Sequence, residues 1–121
     1  MTYDVIAGDL ATNTAALSAL LEILKGAGAS VAVYLAPERS DLPPLMGGPE
    51  QLVFIEQLQS RASAAGATVI DARDAVPVEY WGWEQTVPDR SHFTEPGHKL
   101  LAQRLVERGE QAHVFDRLGE P

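Results

Sequence analysis

One segment near the C-terminus holds more groups suited to acid–base chemistry than any other. It reads PDRSHFTEPGH over residues 88–98, and Asp89 and His92 lie three residues apart within it. A carboxylate at that offset can accept the imidazole N–H and fix its tautomer. It can also stabilise the imidazolium that forms when the histidine takes a proton from a nucleophile. The spacing therefore predicts a general base with its orienting partner, and a turn-capping Asp beside an uninvolved His is the alternative interpretation.

The composition limits the classes of function. The 121 residues, 45% of them hydrophobic, fit one domain over residues 1–121 with a single core. Seventeen acidic against nine basic residues give a formal net charge of -8, which would repel nucleic acid and anionic membrane surfaces. The absence of cysteine excludes disulfides, thiolate nucleophiles and Cys-based zinc sites. We expect no nucleic-acid partner, no cofactor and no metal.

The hydropathy of the chain argues against a membrane protein. No run approaches the roughly 18 apolar residues of a membrane span. The N-terminal residues Met1 to Asp4 lack the basic start of a secretory signal. The sequence predicts no membrane span and, if the chain is complete, a cytoplasmic location.

Three stretches have apolar residues at helical spacing, and three short apolar runs favour strands. The predicted helices span residues 13–25, 50–64 and 95–109, with Thr12 or Asn13 capping the first and Thr94 the last. The predicted strands span residues 3–7, 30–36 and 67–71, the last two buried on both faces. Residues 39–49 are rich in proline and glycine and predict an irregular loop, either a lid over a pocket or a plain surface loop.

Alternation of strands and helices is typical of an α/β fold with a parallel sheet. Active sites of such sheets lie beyond the carboxyl ends of the strands. The segment Gly8-Asp9, Asp71 and the loop carrying Asp89 and His92 are therefore expected at one rim. Three parallel strands make a narrow sheet, so we also expect an exposed edge, a homodimer or strands supplied by a partner chain.

An aromatic group, Tyr80, Trp81 and Trp83, directly precedes the Asp89–His92 pair. Indole rings offer large flat apolar surfaces with one hydrogen-bond donor, which suits the wall of an acyl or sugar pocket. Covering the open side of a small sheet is the alternative. Trp81 and Trp83 are thus candidate pocket residues.

The pattern Asp89-x-x-His92 with Phe93, Gly97 and an amphipathic helix resembles the last sequence block of the SGNH, or GDSL, hydrolase superfamily. Two preceding Gly-Ala-x-Val transitions from helix to strand extend the likeness, at residues 28–31 and 66–69. It is similar in particular to the C-terminal part of SGNH-like proteins that move acyl groups onto cell-surface polymers. The resemblance implies a small three-layer α/β/α, flavodoxin-like fold with three to four mostly parallel strands, here incomplete.

The resemblance also implies roles for individual residues. His92 would be the general base and Asp89 its partner in a Ser acyl-enzyme mechanism on a small ester or an acylated carbohydrate. Gly8 and Asn13 would correspond to a block that contributes to the oxyanion hole, with Asn13 displaced. The family's nucleophile lies in a Gly-Asp-Ser block, but the chain has Leu10 after Gly8-Asp9.

The nucleophile is therefore not identified by the sequence. Ser91 is adjacent to His92, where neighbouring side chains diverge, and Ser40 in the proline-rich loop is the remaining candidate. The favoured prediction is an SGNH-type ester hydrolase or O-acyltransferase, or the C-terminal half of one. The alternatives are a non-catalytic or partner-completed α/β module and a metal-dependent hydrolase that uses Asp89, His92 and His98.

Overall fold

A computed structural model of the chain describes residues 7–116. This part is a small α/β protein with three helices and two short sheets. Its helices are α1 (Ala7–Gly26), α2 (Gly48–Ala64) and α3 (Glu95–Gln111), and its strands are β1 (Ala32–Leu35), β2 (Thr68–Asp71), β3 (Trp81–Glu84) and β4 (Val87–Phe93). The prediction of an α/β protein is confirmed. None of the helices in residues 7–116 is long and apolar enough to cross a membrane.

Helix α1 begins at Ala7, six residues earlier than the pattern predicted. Thr12 and Asn13, the two predicted caps, both lie inside the helix. The hydroxyls of Thr12 and Thr14 donate to the carbonyls four residues back, at 3.0 and 2.8 Å. The expected strand over residues 3–7 lies outside the described residues except for Ala7, which is helical. Gly8 and Asp9 are therefore helical, whereas the prediction placed them in a segment that follows directly on that strand.

Strands β1 and β2 pair in parallel, with Ala32 opposite Thr68 and Leu35 opposite Asp71. Each strand follows a helix through a turn at a glycine with positive φ, Gly28 (76°) before β1 and Gly66 (70°) before β2. Residues that carry a side chain rarely adopt this backbone conformation. The two helix-to-strand transitions of the sequence thus use the same turn chemistry.

The predicted burial of β1 on both faces is wrong. Leu35 is buried, but Tyr34 is exposed. Tyr34 borders a shallow apolar groove of about 210 Å³ that α3 and the turn after it cover only in part. The physical reason is that β1 and β2 form a two-stranded sheet, so β1 is an edge strand among the described residues.

A β-hairpin replaces the predicted loop around Asp89 and His92. Strands β3 and β4 are antiparallel, so the described residues form two two-stranded sheets instead of one mostly parallel sheet of three or four strands. The turn between them uses Gln85 at φ 57°. Glycine or asparagine usually supplies that conformation, so the sequence carried no turn signal here.

Helix α3 begins at Glu95, directly after the hairpin. Thr94 occupies the N-cap position as predicted, but its side chain makes no capping hydrogen bond. Its hydroxyl donates instead to the Tyr80 carbonyl at 3.1 Å, as does its backbone N–H at 2.8 Å. The helix continues past Gly109, its predicted end, to Gln111.

The core forms where α2 packs on β2 and on α1, and where α3 packs on β2 and the hairpin. Its large buried side chains come from α1, α2, both parallel strands and the segment that leads into and begins the hairpin, namely Leu21, Leu35, Leu58, Ile70, Val76 and Trp81. This packing fixes the hairpin against the end of the parallel sheet, and the hairpin carries the candidate site.

Candidate functional site

The Asp89–His92 segment is a bulge of four residues in β4. Trp81 pairs with Phe93 and Trp83 with Pro88, so the single residue Gly82 stands opposite the four residues 89–92. A bulge leaves extra residues without cross-strand partners and re-aims their side chains, and bulges are common beside active sites. The residues predicted to do chemistry are therefore held on an irregular strand whose two ends are anchored by pairing.

Within the bulge Asp89 binds the segment that follows it. One carboxylate oxygen, Oδ1, accepts the backbone N–H groups of Ser91 at 2.7 Å and of His92 at 3.2 Å. The other, Oδ2, lies 2.6 Å from Nδ1 of His92. This Asx-type turn brings the imidazole onto the carboxylate, which is the contact that the spacing predicted.

Electrostatics fix the direction of the Asp89–His92 hydrogen bond. The Ser91 backbone amide, and then the His92 ring, hold the pKa of the Asp89 carboxyl below its usual value of 3.8. Asp89 is therefore ionised at neutral pH and can only accept, so Nδ1 donates. The proton on Nδ1 leaves the lone pair of the neutral ring on Nε2.

The two side chains differ in their access to solvent. The His92 side chain is 78% exposed, whereas that of Asp89 is 16% exposed. Among residues 7–116 no group hydrogen-bonds to Nε2 of His92. The arrangement thus presents an open nitrogen base on an ordered carboxylate.

A second His–Asp pair shows what is specific to this one. Nδ1 of His113 lies 3.0 Å from Oδ2 of Asp116, and these side chains are 78% and 64% exposed. No backbone N–H holds the Asp116 carboxylate in the described part of the chain. The contact alone is common, and the turn that preorganises Asp89 distinguishes the pair in the bulge.

Two residues that sequence reasoning missed support the bulge. A Cβ on Gly82 would lie 3.2 Å from the His92 carbonyl oxygen and 3.8 Å from Oδ2 of Asp89, so glycine leaves room for the pair. The buried guanidinium of Arg39 donates to the carbonyls of Gly82 and Asp89. Nothing in the sequence indicates that Arg39 is buried, because a charged residue in a proline-rich stretch is ordinarily solvated.

The two tryptophans have different surroundings. Trp81 is buried, donates from Nε1 to the Val76 carbonyl at 3.0 Å, and packs edge to face on Phe93 with ring centroids 4.6 Å apart. Trp83 is 63% exposed, and the Arg39 guanidinium lies 5.1 Å from its ring centroid. Only Trp83 of the two presents a surface that a ligand can reach.

The other predicted site residues lie elsewhere in the fold. Gly8 and Asn13 occupy exposed positions of α1, and no hydrogen bond among residues 7–116 joins either to the hairpin. Their part in an oxyanion hole stays a prediction. His98 packs on Phe93 with ring centroids 5.2 Å apart. Within residues 7–116 no three His, Asp or Glu side chains converge on a point that could hold a metal ion.

A cavity of about 840 Å³ lies at the carboxyl ends of β1 and β2, where the predicted rim would be. Ser40 and Asp71 line it, but Asp89 and His92 do not. Asp71 is paired with Arg73 at 2.8 Å. Arg39 borders this cavity and also binds the hairpin, so it links the two.

The chemistry of the site follows from its geometry alone. Comparison of the chain with protein-family models, with curated proteins and with solved structures finds no match. A neutral imidazole with Nδ1 on an ionised carboxylate and an accessible Nε2 can take a proton from a hydroxyl, and the carboxylate then stabilises the imidazolium. General-base catalysis is what these atoms can do.

Proposed function

We propose that this chain carries the base side of an SGNH-type ester hydrolase or O-acyltransferase site. His92 is the general base and Asp89 is its orienting partner. The observation that supports this most is the 2.6 Å contact between Nδ1 of His92 and a carboxylate whose other oxygen is held by two backbone amides. Such preorganisation removes the need to order the carboxylate when the imidazolium forms.

In the proposed mechanism Nε2 of His92 takes the proton of a serine hydroxyl as its oxygen attacks the ester carbonyl. The imidazolium then gives that proton to the departing alkoxide, which leaves an acyl-enzyme. Water or an acceptor hydroxyl then attacks the acyl-enzyme carbonyl. His92 takes the proton of the attacking group and returns it to the serine oxygen, and the acid or the new ester is released. No hydroxyl among residues 7–116 hydrogen-bonds to Nε2, so the attacking serine is assigned to another chain or to a longer polypeptide.

The proposed substrate is a small ester or an acylated carbohydrate. Trp83 follows Gly82 in β3, and its exposed ring offers a flat apolar surface on the hairpin that carries the base. Acyl chains and sugar rings both pack on such surfaces. The acidic balance of the chain, with a net charge of -8, favours a neutral over an anionic substrate.

The test is hydrolysis of p-nitrophenyl acetate by the wild type, by His92→Ala and by His113→Ala. In an assembly that supplies the attacking serine, removal of the general base should lower the rate about 100-fold or more. His113 is a matched control, because it is equally exposed and also contacts an aspartate. Turnover that His92→Ala leaves unchanged would contradict the proposed role of His92.

A partner-completed α/β module is the second candidate. It is favoured by the two edges of the two-stranded parallel sheet and by the absence, among residues 7–116, of a hydroxyl on Nε2. Light scattering of the purified protein separates the candidates. A dimer without esterase activity would support strand completion, and a folded monomer without activity would support a standalone binding module.

A further inference from the structure

Arg39 is a buried cation that the proposed mechanism does not use. Its side chain is 1% exposed, and it lies four residues beyond the end of β1. Moving a guanidinium out of water is costly unless good hydrogen bonds replace those to the solvent. The partners of Arg39 therefore show what its burial accomplishes.

The guanidinium joins the loop after β1 to both strands of the hairpin. Nε donates to Oδ1 of Asp41 at 2.8 Å, and Nη2 lies 3.3 Å from Oδ2 of the same carboxylate. Nη1 donates to the carbonyl oxygens of Gly82 at 2.8 Å and Asp89 at 3.1 Å. The ring of Trp83 lies 5.1 Å away and completes the surroundings.

The two carbonyls that Arg39 binds belong to the interrupted part of the ladder. Gly82 is the single residue opposite the bulge, and Asp89 is the first residue of the bulge. Because a bulge removes cross-strand hydrogen bonds, these carbonyls need donors from elsewhere. One nitrogen of Arg39 supplies both and so fixes the spacing of the strands at the point where Asp89 departs from β4.

A second cation makes a parallel link. Nη1 of Arg90, the next residue of the bulge, donates to the Pro43 carbonyl at 2.8 Å. This bond is exposed and runs from the hairpin to the same proline-rich loop that carries Arg39. The loop and the bulge therefore hold each other, with Arg39 as the buried connection.

We propose that Arg39 is a positioning residue for the Asp89–His92 pair. By holding the Asp89 carbonyl, it fixes the backbone from which the carboxylate reaches His92, and it makes the loop after β1 a determinant of the tautomer of that imidazole. The structural claim stands alone, and its catalytic meaning rests on the proposed function of His92. Lysine cannot replace Arg39, since one ammonium cannot serve both carbonyls and both Asp41 oxygens in this planar arrangement.

The experiment measures the resting protein by nitrogen-15 NMR in the wild type, Arg39→Lys and Arg73→Lys. The amide exchange rates of Ser91 and His92 and the ring nitrogen shifts of His92 are the readouts. In Arg39→Lys the amide exchange rates of Ser91 and His92 should rise roughly tenfold or more relative to those of Leu35 and Ile70. The ring nitrogen shifts of His92 should no longer show the proton on Nδ1 alone. Arg73→Lys is the matched control, because Arg73 also pairs with an aspartate two residues away but does not contact the hairpin.

The proposal is overturned if folded Arg39→Lys keeps the wild-type exchange rates and ring shifts of the pair. It is also overturned if the amide exchange rates of Leu35 and Ile70 rise as much as those of Ser91 and His92, since Arg39 would then stabilise the whole fold and not the pair in particular. If Arg39→Lys does not fold, the Asp41→Asn variant provides the test. Asp41 is partly exposed, so this change weakens the ion pair that holds the guanidinium without altering the buried Arg39 itself. Unchanged Ser91 and His92 amides in that variant overturn the proposal. None of these readouts depends on ester turnover, so a failure of the proposed function would be recognised separately.

Discussion

At the scale of residues, Asp89 serves two purposes that are usually divided between two side chains. Its Oδ1 closes the turn by accepting two backbone amides, and its Oδ2 meets the imidazole. The local fold of the bulge and the orientation of His92 therefore depend on the same ionised carboxylate. Protonation of Asp89 should loosen both together.

The pH dependence of stability should report this carboxylate. The Ser91 amide and the His92 ring lower the pKa of Asp89 in the folded protein, so its stabilising effect is complete above the unfolded value near 3.8 and is lost as the pH falls through the lower folded value. Between about pH 5 and about pH 7, where Asp89 is ionised, the wild type should melt at a higher temperature than Asp89→Asn. The difference should shrink below about pH 4.

Thermal unfolding of both proteins at several pH values gives this difference. Asp41, Asp71 and Asp74 also have lowered pKa values, through Arg39, Arg73 and Arg108, but these groups are common to both proteins and cancel. A difference in melting temperature that stays constant down to about pH 2 would contradict the role of the ionised carboxylate.

At the scale of elements, Gly97 allows α3 to start immediately behind the bulge. A Cβ there would lie 2.8 Å from the Tyr80 carbonyl oxygen and 2.9 Å from Cβ of Phe93. The helix can approach the hairpin this closely only because the residue has no side chain. This explains in physical terms why residue 97 is a glycine.

Gly97→Ala should therefore lower the free energy of unfolding by about 1 to 3 kcal/mol, since the backbone of Tyr80 must move. Gly48→Ala is the matched control in α2, because nothing lies within 4 Å of its added Cβ. That change should be neutral or stabilising by at most about 1 kcal/mol. Urea unfolding measures both, and equal stabilities of Gly97→Ala and the wild type would show that the close approach is not a constraint.

The same scale shows which elements the sequence could predict. The helices from residues 48 and 95 and both parallel strands were found where periodicity and β-branched runs placed them, with bounds shifted by a few residues. The β3–β4 hairpin was missed, because Gln85 forms its turn without a turn residue and the bulge breaks the period of two. The Asp89–His92 contact was predicted since it is local, three residues along the chain.

At the scale of the whole molecule, contacts between distant segments were beyond the sequence. Arg39 reaches Gly82 and Asp89, 43 and 50 residues away, and no periodicity encodes such a contact. The separation of the 840 Å³ cavity from the Asp89–His92 pair likewise follows from how the hairpin packs. The exposed Tyr34 face of β1 follows from pairing with one neighbour instead of two.

In residues 7–116 the loop after β1 thus ties the narrow parallel sheet to the hairpin. The central claim is that the hairpin fixes the tautomer of the neutral His92 ring, with the proton on Nδ1 facing Asp89 and with Nε2 open to the hydroxyl of the proposed serine. The ring nitrogens of His92 report this state directly, and those of His113 provide an internal reference beside a more exposed aspartate.

The most direct measurement is the nitrogen-15 spectrum of the histidine rings at a pH where His92 is neutral. We predict that His92 carries its proton on Nδ1, with Nε2 unprotonated, and that Asp89→Ala removes this preference. A neutral His92 ring with its proton on Nε2 in the wild type would contradict the account, because the nitrogen assigned to take the proton from the nucleophile would already hold one.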